Sequence, residues 1–248
     1  MIRLQHSFSN LMIQQANKYR MFTVFRTAVP KSVRSESHKD FKRNIKKDYL
    51  QHKGKSHSST LWLDRQLRDP YYIQAKEEGY RSRAVYKLKE IDDKLHLFKP
   101  NNIVLDVGAA PGGWSQYVVS KVGVTIPCSV VSIDLLDIEP IDGVHFLKGD
   151  FMEDTMKRNL QSYIDNRPVD VVISDIAPNF SGDHNRDHTR QIEMCDSVVE
   201  FARSIAKTDC SLVLKVLQGS EFHEFIERMR RQFVNVTIIK PKASRKES

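Results

Sequence analysis

From residue 103 onward, short apolar runs alternate with amphipathic stretches, and this alternation limits the fold more than any other feature of the chain. The apolar runs are IVLDV from Ile103, SVVSID ending at Asp134, HFLKGD ending at Asp150, VDVVISD ending at Asp175, CSLVLKV from Cys210 and VNVTIIK from Val234. Between them lie segments with helical spacing: residues 153–166, then Ile192, Cys195, Val199, Ala202 and Ala206, then Phe222, Phe225, Met229 and Phe233. Continuous apolar runs of strand length, separated by helices, are buried together as a parallel sheet covered on both faces. The expected fold is therefore α/β, a doubly wound Rossmann-like sheet.

The chain divides by composition. Residues 1–58 read as a basic tail, and 59–248 as one domain. Up to Val33 there is no Asp or Glu, while Arg3, Lys18, Arg20, Arg26 and Lys31 are scattered among Leu, Met, Phe, Ser and Gln. That is the composition of an organelle transit segment, and a basic tail gripping RNA is the other reading of it. A formal net charge of +8 favours a polyanionic partner. Cys128, Cys195 and Cys210 show neither CxxC pairing nor histidine spacing, so neither a metal site nor a disulfide framework is expected. No apolar run approaches the roughly 20 residues of a membrane span.

The functional residues gather where the strands end. In open α/β sheets ligands bind beyond the carboxyl ends of the strands. Gly108, Asp134, Asp150, Asp175 and Lys215 all fall at or just past such ends. The first strand runs into GAAPGG, a turn of small residues ahead of a helix, which lets backbone N–H groups approach a nucleotide-like ligand. Asp134 follows Gly108 by 26 positions, close to the offset of about 20 at which a carboxylate meets a ribose in dinucleotide folds. The turn is not GxGxxG, so a pyrophosphate is not indicated. Lys215 interrupts an apolar run; a desolvated lysine is drawn toward neutrality and can serve as a general base. Upstream, Ala84, Leu88, Ile91 and Leu95 form an apolar helical stripe, with Lys87 at its border.

Four ordered blocks, YRSRAVYKL from Tyr80, GAAPGGWSQ from Gly108, SDIAPNFSG from Ser174 and KVLQGSEF from Lys215, resemble the RrmJ/FtsJ family of ribose 2′-O-methyltransferases that act on ribosomal RNA. The LWLDRQLRDP lead-in, the KPKASRKES ending and the transit-like start are similar to a mitochondrial branch of that family. The resemblance implies an S-adenosylmethionine-dependent methylation of a uridine in large-subunit rRNA, in the mitochondrial matrix. It implies catalytic roles for Lys87, Asp175 and Lys215, with Lys215 as general base. It also implies that Pro111, Gly112, Gly113, Trp114, Asp134, Asp150 and Asp175 surround the cofactor, and that Arg65, Arg68, Lys76, Arg81 and Arg83 hold RNA phosphates. The family's final acid falls beyond Ser248, Glu247 is out of register with it, and the family's last, antiparallel strand is absent, so the expected sheet lacks its final strand. Two other readings share the same residues: an RNA-binding ribosome-assembly factor with weak or no catalysis, and a tRNA or cap 2′-O-methyltransferase.

Overall fold

The computed structural model describes residues 19–22, 68–164 and 167–244. Its seven strands form one sheet in the order β4-β3-β2-β5-β6-β1-β7. These strands are β1 (Tyr19–Phe22), β2 (Val104–Val107), β3 (Val130–Asp134), β4 (Val144–Lys148), β5 (Val169–Ser174), β6 (Ala206–Leu214) and β7 (Phe233–Thr237). Every pairing is parallel; Val104 lies opposite Val130 on one side and Val171 on the other, and Ser174 lies opposite Leu214. Two of the helices precede β2: α1 (Pro70–Glu77) and α2 (Val85–Leu95). The others are α3 (Gly113–Val122), α4 (Asp154–Tyr163), α5 (His184–Ile205) and α6 (Phe222–Gln232).

Burial on both faces explains the apolar strands. Leu105, Val107, Val131, Ile133, Val172, Leu212 and Leu214 pack against Leu160 of α4, Ile192, Cys195 and Val199 of α5, and Phe225 and Met229 of α6. The alternate residues Val104, Val130, Val171, Ile173 and Val213 pack on the other face with Ala75, Val85, Leu88, Ile91, Tyr117 and Val118 of α1, α2 and α3. Period-two alternation thus sends β2, β3, β5 and β6 into two cores at once.

Two expected helix faces end one residue early: Ala206 and Phe233 are the first residues of β6 and β7, not the last of α5 and α6. The helices run straight into the strands with no glycine or proline between them, so periodicity alone overshoots. The slot between β6 and β7, left open by the sequence reading, holds β1, with Arg20 opposite Ser211 and Asn235.

Local chemistry sets the ends of the first helices. Pro70 begins α1 at a position that needs no N–H donor, and the Asp69 carboxylate caps it by accepting from Tyr71 and Tyr72 N–H. The left-handed His96 ends α2. Just upstream the nearly buried Asp92 accepts from Leu97 N–H at 2.8 Å and from the Tyr117 hydroxyl at 2.7 Å. That carboxylate fixes α2, and therefore Lys87, against α3.

Candidate active site

At the carboxyl rim of the sheet, β5 delivers Asp175 and β6 delivers Lys215, while Lys87 arrives from α2. Asp175 Oδ1 lies 2.9 Å from Lys215 Nζ, and its Oδ2 lies 4.0 Å from Lys87 Nζ. Lys215 Nζ also donates to the main-chain carbonyl of Asp175. The three side chains are each about a quarter exposed, 27% for Lys215, so they face solvent at the rim. This corrects the expectation of a desolvated lysine. Lys215 follows the last residue of β6, and its amine meets a carboxylate and a carbonyl rather than an apolar wall. Two cations around one anion leave a net positive charge, which loss of a single proton from a lysine would neutralise.

The neighbouring half of the rim is built around the glycine turn. Gly108 has φ +79°, and a Cβ there would stand 2.7 Å from Ile176 Cα; only glycine lets the β2 turn pass so close to the loop after β5. Asp134, the last residue of β3, accepts from Ala110 N–H at 2.8 Å and Leu136 N–H at 2.9 Å, which pins its carboxylate beside the turn. Asp150 lies two residues past the end of β4 and accepts from Met152 N–H. Leu135, Leu136 and Met152 are exposed beside these two carboxylates. Acceptors for hydroxyl and amine groups, bordered by apolar side chains, suit a nucleoside, so the donor set fits the adenosine portion of S-adenosylmethionine.

The other expected cofactor residues divide. Pro111 is exposed at the turn, whereas Gly112 and Gly113 are covered by Arg81 and Ser82. Trp114 is 5% exposed and its indole N–H donates to the Ala84 carbonyl at 2.8 Å, so it offers a ligand little surface and instead ties α3 to the segment leading into α2.

Of the expected phosphate-binding residues, Arg65 lies outside the described residues. Arg68 and Lys76 are exposed on and before α1. Arg81 spans from the glycine turn to the loop after β3, donating to the Glu139 and Pro140 carbonyls. Arg83 is paired with Asp69 and donates to the Ala243 carbonyl, with a side-chain exposure of 16%. Glu90 accepts from Lys242 and Ala243 N–H on the same segment. Arg83 and Glu90 therefore clamp the segment after β7 onto α2.

Three residues escaped the sequence reading. Asp106 is fully buried beneath the turn, where Ser115 Oγ donates to its Oδ2 at 2.6 Å and Ser132 Oγ joins Ser115 at 2.9 Å. Burial pushes its carboxyl up to about 7; the charges of Asp175 and Asp134 act in the same direction, and the Ser115 bond opposes them. Its signal was visible as a lone acid inside an apolar run. Gln191 and Asp187, on α5, hold the loops that follow β6 and β5, and both look like ordinary polar positions of a helix.

Residues 80–248 match the family model described as FtsJ-like methyltransferase. The chain belongs to the FtsJ-like methyltransferase family. Among its relatives, the Ribosomal RNA large subunit methyltransferase E of Paraburkholderia phymatum is 43% identical over 204 residues, spanning 78% of this chain and 93% of the relative. The protein of that name from Burkholderia ambifaria is 43% identical over 197 residues, 75% of this chain and 90% of its own. A Plasmodium falciparum structure provisionally described as a ribosomal RNA methyltransferase superposes with a TM-score of 0.55 at 27% identity, covering 61% of this chain and 86% of the other. The FtsJ-like match contains all three members of the Lys87–Asp175–Lys215 cluster and the whole glycine turn. Among the described residues, no helix is long and apolar enough to cross a membrane, and no group of three or more His, Cys, Asp or Glu could hold a metal ion.

Proposed function

We propose that this chain is an S-adenosylmethionine-dependent methyltransferase that modifies the 2′-hydroxyl of a uridine in large-subunit ribosomal RNA. The observation that carries this reading is the Lys87–Asp175–Lys215 cluster, two lysine amines on one carboxylate, with Asp175 one strand away from the glycine turn and two strands away from Asp134. A ribose hydroxyl is a poor nucleophile, so a group at the rim must take its proton as the new bond forms. Lys215 Nζ is that group, acting as the free amine once it has released one proton to solvent. Asp175 fixes its position by holding it at 2.9 Å, and Lys87 supplies a second cation to orient the hydroxyl and stabilise developing negative charge on its oxygen.

When bound, the cofactor supplies an electrophilic methyl group on a sulfonium. Asp134 would accept from the ribose hydroxyls, Asp150 would accept from the adenine amine, and the backbone of the turn at Gly108 and Pro111 would hold the ligand. Leu135, Leu136 and Met152, exposed beside these carboxylates, would shield the adenine from water. The transfer then depends mainly on alignment of the oxygen with the methyl carbon, a contribution that positioning alone can make large. The names of the bacterial relatives support ribosomal RNA as the substrate.

Mitochondrial residence belongs to the same proposal and rests on the acid-free composition up to Val33. The N-terminus of the protein recovered from isolated mitochondria tests it, and also tells whether β1 stays with the mature chain. For the reaction, the decisive readout is the product: nuclease digestion of methylated rRNA yields 2′-O-methyluridine on this account. A methylated base, or a 2′-O-methyl group confined to another nucleotide, contradicts it.

A further inference from the structure

Phe180 lies on the loop between β5 and α5 with 63% of its surface exposed, although that loop is among the most firmly tied at the rim. The 5%-exposed Asp187 does the tying: its carboxylate accepts from Ser181 N–H at 2.8 Å, from Ser181 Oγ at 2.8 Å and from Gly182 N–H at 3.2 Å. Asp183 then caps α5 by accepting from Asn185 and Arg186 N–H. Solvated aromatic area contributes nothing to folding, so a loop this constrained is not shaped to bury Phe180 in its own core. The loop starts at Asp175, and five residues of chain reach at most about 18 Å. The Phe180 backbone therefore lies no farther than about 18 Å from Asp175, within the span of a few nucleotides of a strand docked at the rim. Arg186 and Arg190, one turn apart and both exposed at the start of α5, add positive charge to the helix that this loop enters.

We infer that Phe180, backed by Arg186 and Arg190, is a stacking platform for a nucleobase of the RNA strand next to the modified ribose. The inference rests on the reading of the rim as an RNA-modifying site, and it adds a contact surface on the α5 side of the cluster, separate from the basic residues around α1. Aromatic rings take any base by its face, while arginines hold the adjacent phosphates. The ring thus fixes the strand's position without selecting its sequence.

The test uses the full chain, a large-subunit rRNA transcript and S-adenosylmethionine, each titrated separately. Phe180→Ala should weaken RNA binding at least about fivefold, with cofactor affinity and melting temperature unchanged; Phe180→Trp should stay within about twofold of wild type, and Phe180→Leu should behave like alanine. Equal RNA affinity for Phe180→Ala and wild type overturns the platform. So does a loss of cofactor affinity, which would assign the ring to the other ligand. RNA that binds, is released by Phe180→Ala and yet is never methylated supports the platform while overturning the catalytic reading. Absence of RNA binding by the wild-type chain overturns both.

Discussion

Gln191 holds the main chain on both sides of Val216, directly after Lys215. Its Nε2 donates to the Lys215 carbonyl at 2.8 Å, its Oε1 accepts from Leu217 N–H at 2.7 Å, and the side chain is fully buried. Gln191→Met removes both bonds, takes away the acceptor of Leu217 N–H and leaves the Lys215 carbonyl with the weak Cys195 thiol bond at 3.6 Å, at a cost of about 1–3 kcal/mol in stability. Because the carbonyl so released belongs to the proposed base, kcat should fall roughly tenfold or more, with KM for RNA nearly unchanged. Gln191→Glu keeps the acceptor for Leu217 but faces the Lys215 carbonyl with oxygen, and should fall between the two. Denaturant melts and steady-state kinetics on the three proteins check the order.

Asp106 links stability to pH. Its folded carboxyl titrates near 7, well above an ordinary Asp at about 3.9. Between those values the folded state holds a proton that the unfolded chain has released. Stability from this group is therefore full in acid and declines as pH rises to about 7, by up to about 4 kcal/mol. Asp106→Asn stays neutral at every pH. Urea unfolding at pH 5.5 and pH 8 should show the wild type losing stability relative to the variant at the higher pH, and parallel behaviour of the two would contradict the burial argument.

Gly108 cannot be replaced. In Gly108→Ala a methyl group would stand 2.7 Å from Ile176 Cα at a backbone φ of +79°, so either the turn or the loop after β5 must move. Strain and overpacking together should cost about 2–4 kcal/mol. A lower melting temperature together with weakened S-adenosylmethionine binding is the expected outcome, measured by thermal melts and calorimetry.

The basic residues near α1 should separate by salt dependence. Lys76 is exposed, so Lys76→Ala should lower the slope of log affinity for RNA against log salt by up to about one. Arg83 is paired with Asp69 and bound to the Ala243 carbonyl. Arg83→Ala should lower the melting temperature and leave the slope unchanged.

The sheet was legible because its central strands are buried on both faces, which writes them as unbroken apolar runs; each of the six runs read from residue 103 onward overlaps a strand. Boundaries were less legible where nothing punctuates the chain, as at Ile205–Ala206 and Gln232–Phe233. β1 carried no readable signal: Tyr19–Phe22 is four residues long with Arg20 inside it, and its partners lie far away in sequence. At the site, Asp134, Asp175 and Lys215 were visible because charge at a strand end has few structural uses. Residue type alone could not say whether an arginine faces outward or inward. Arg81 and Arg83 stand two residues apart in a basic stretch, yet one straps the glycine turn and the other clamps the segment after β7.

On the proposed mechanism, Lys215 takes the proton from a ribose hydroxyl as the methyl group is transferred. Single-turnover transfer of labelled methyl from S-adenosylmethionine to a large-subunit rRNA transcript, at saturating protein, measures that step directly. Lys215→Ala should slow it by about 100-fold or more while cofactor and RNA still bind. An undiminished rate in Lys215→Ala would rule Lys215 out as the base.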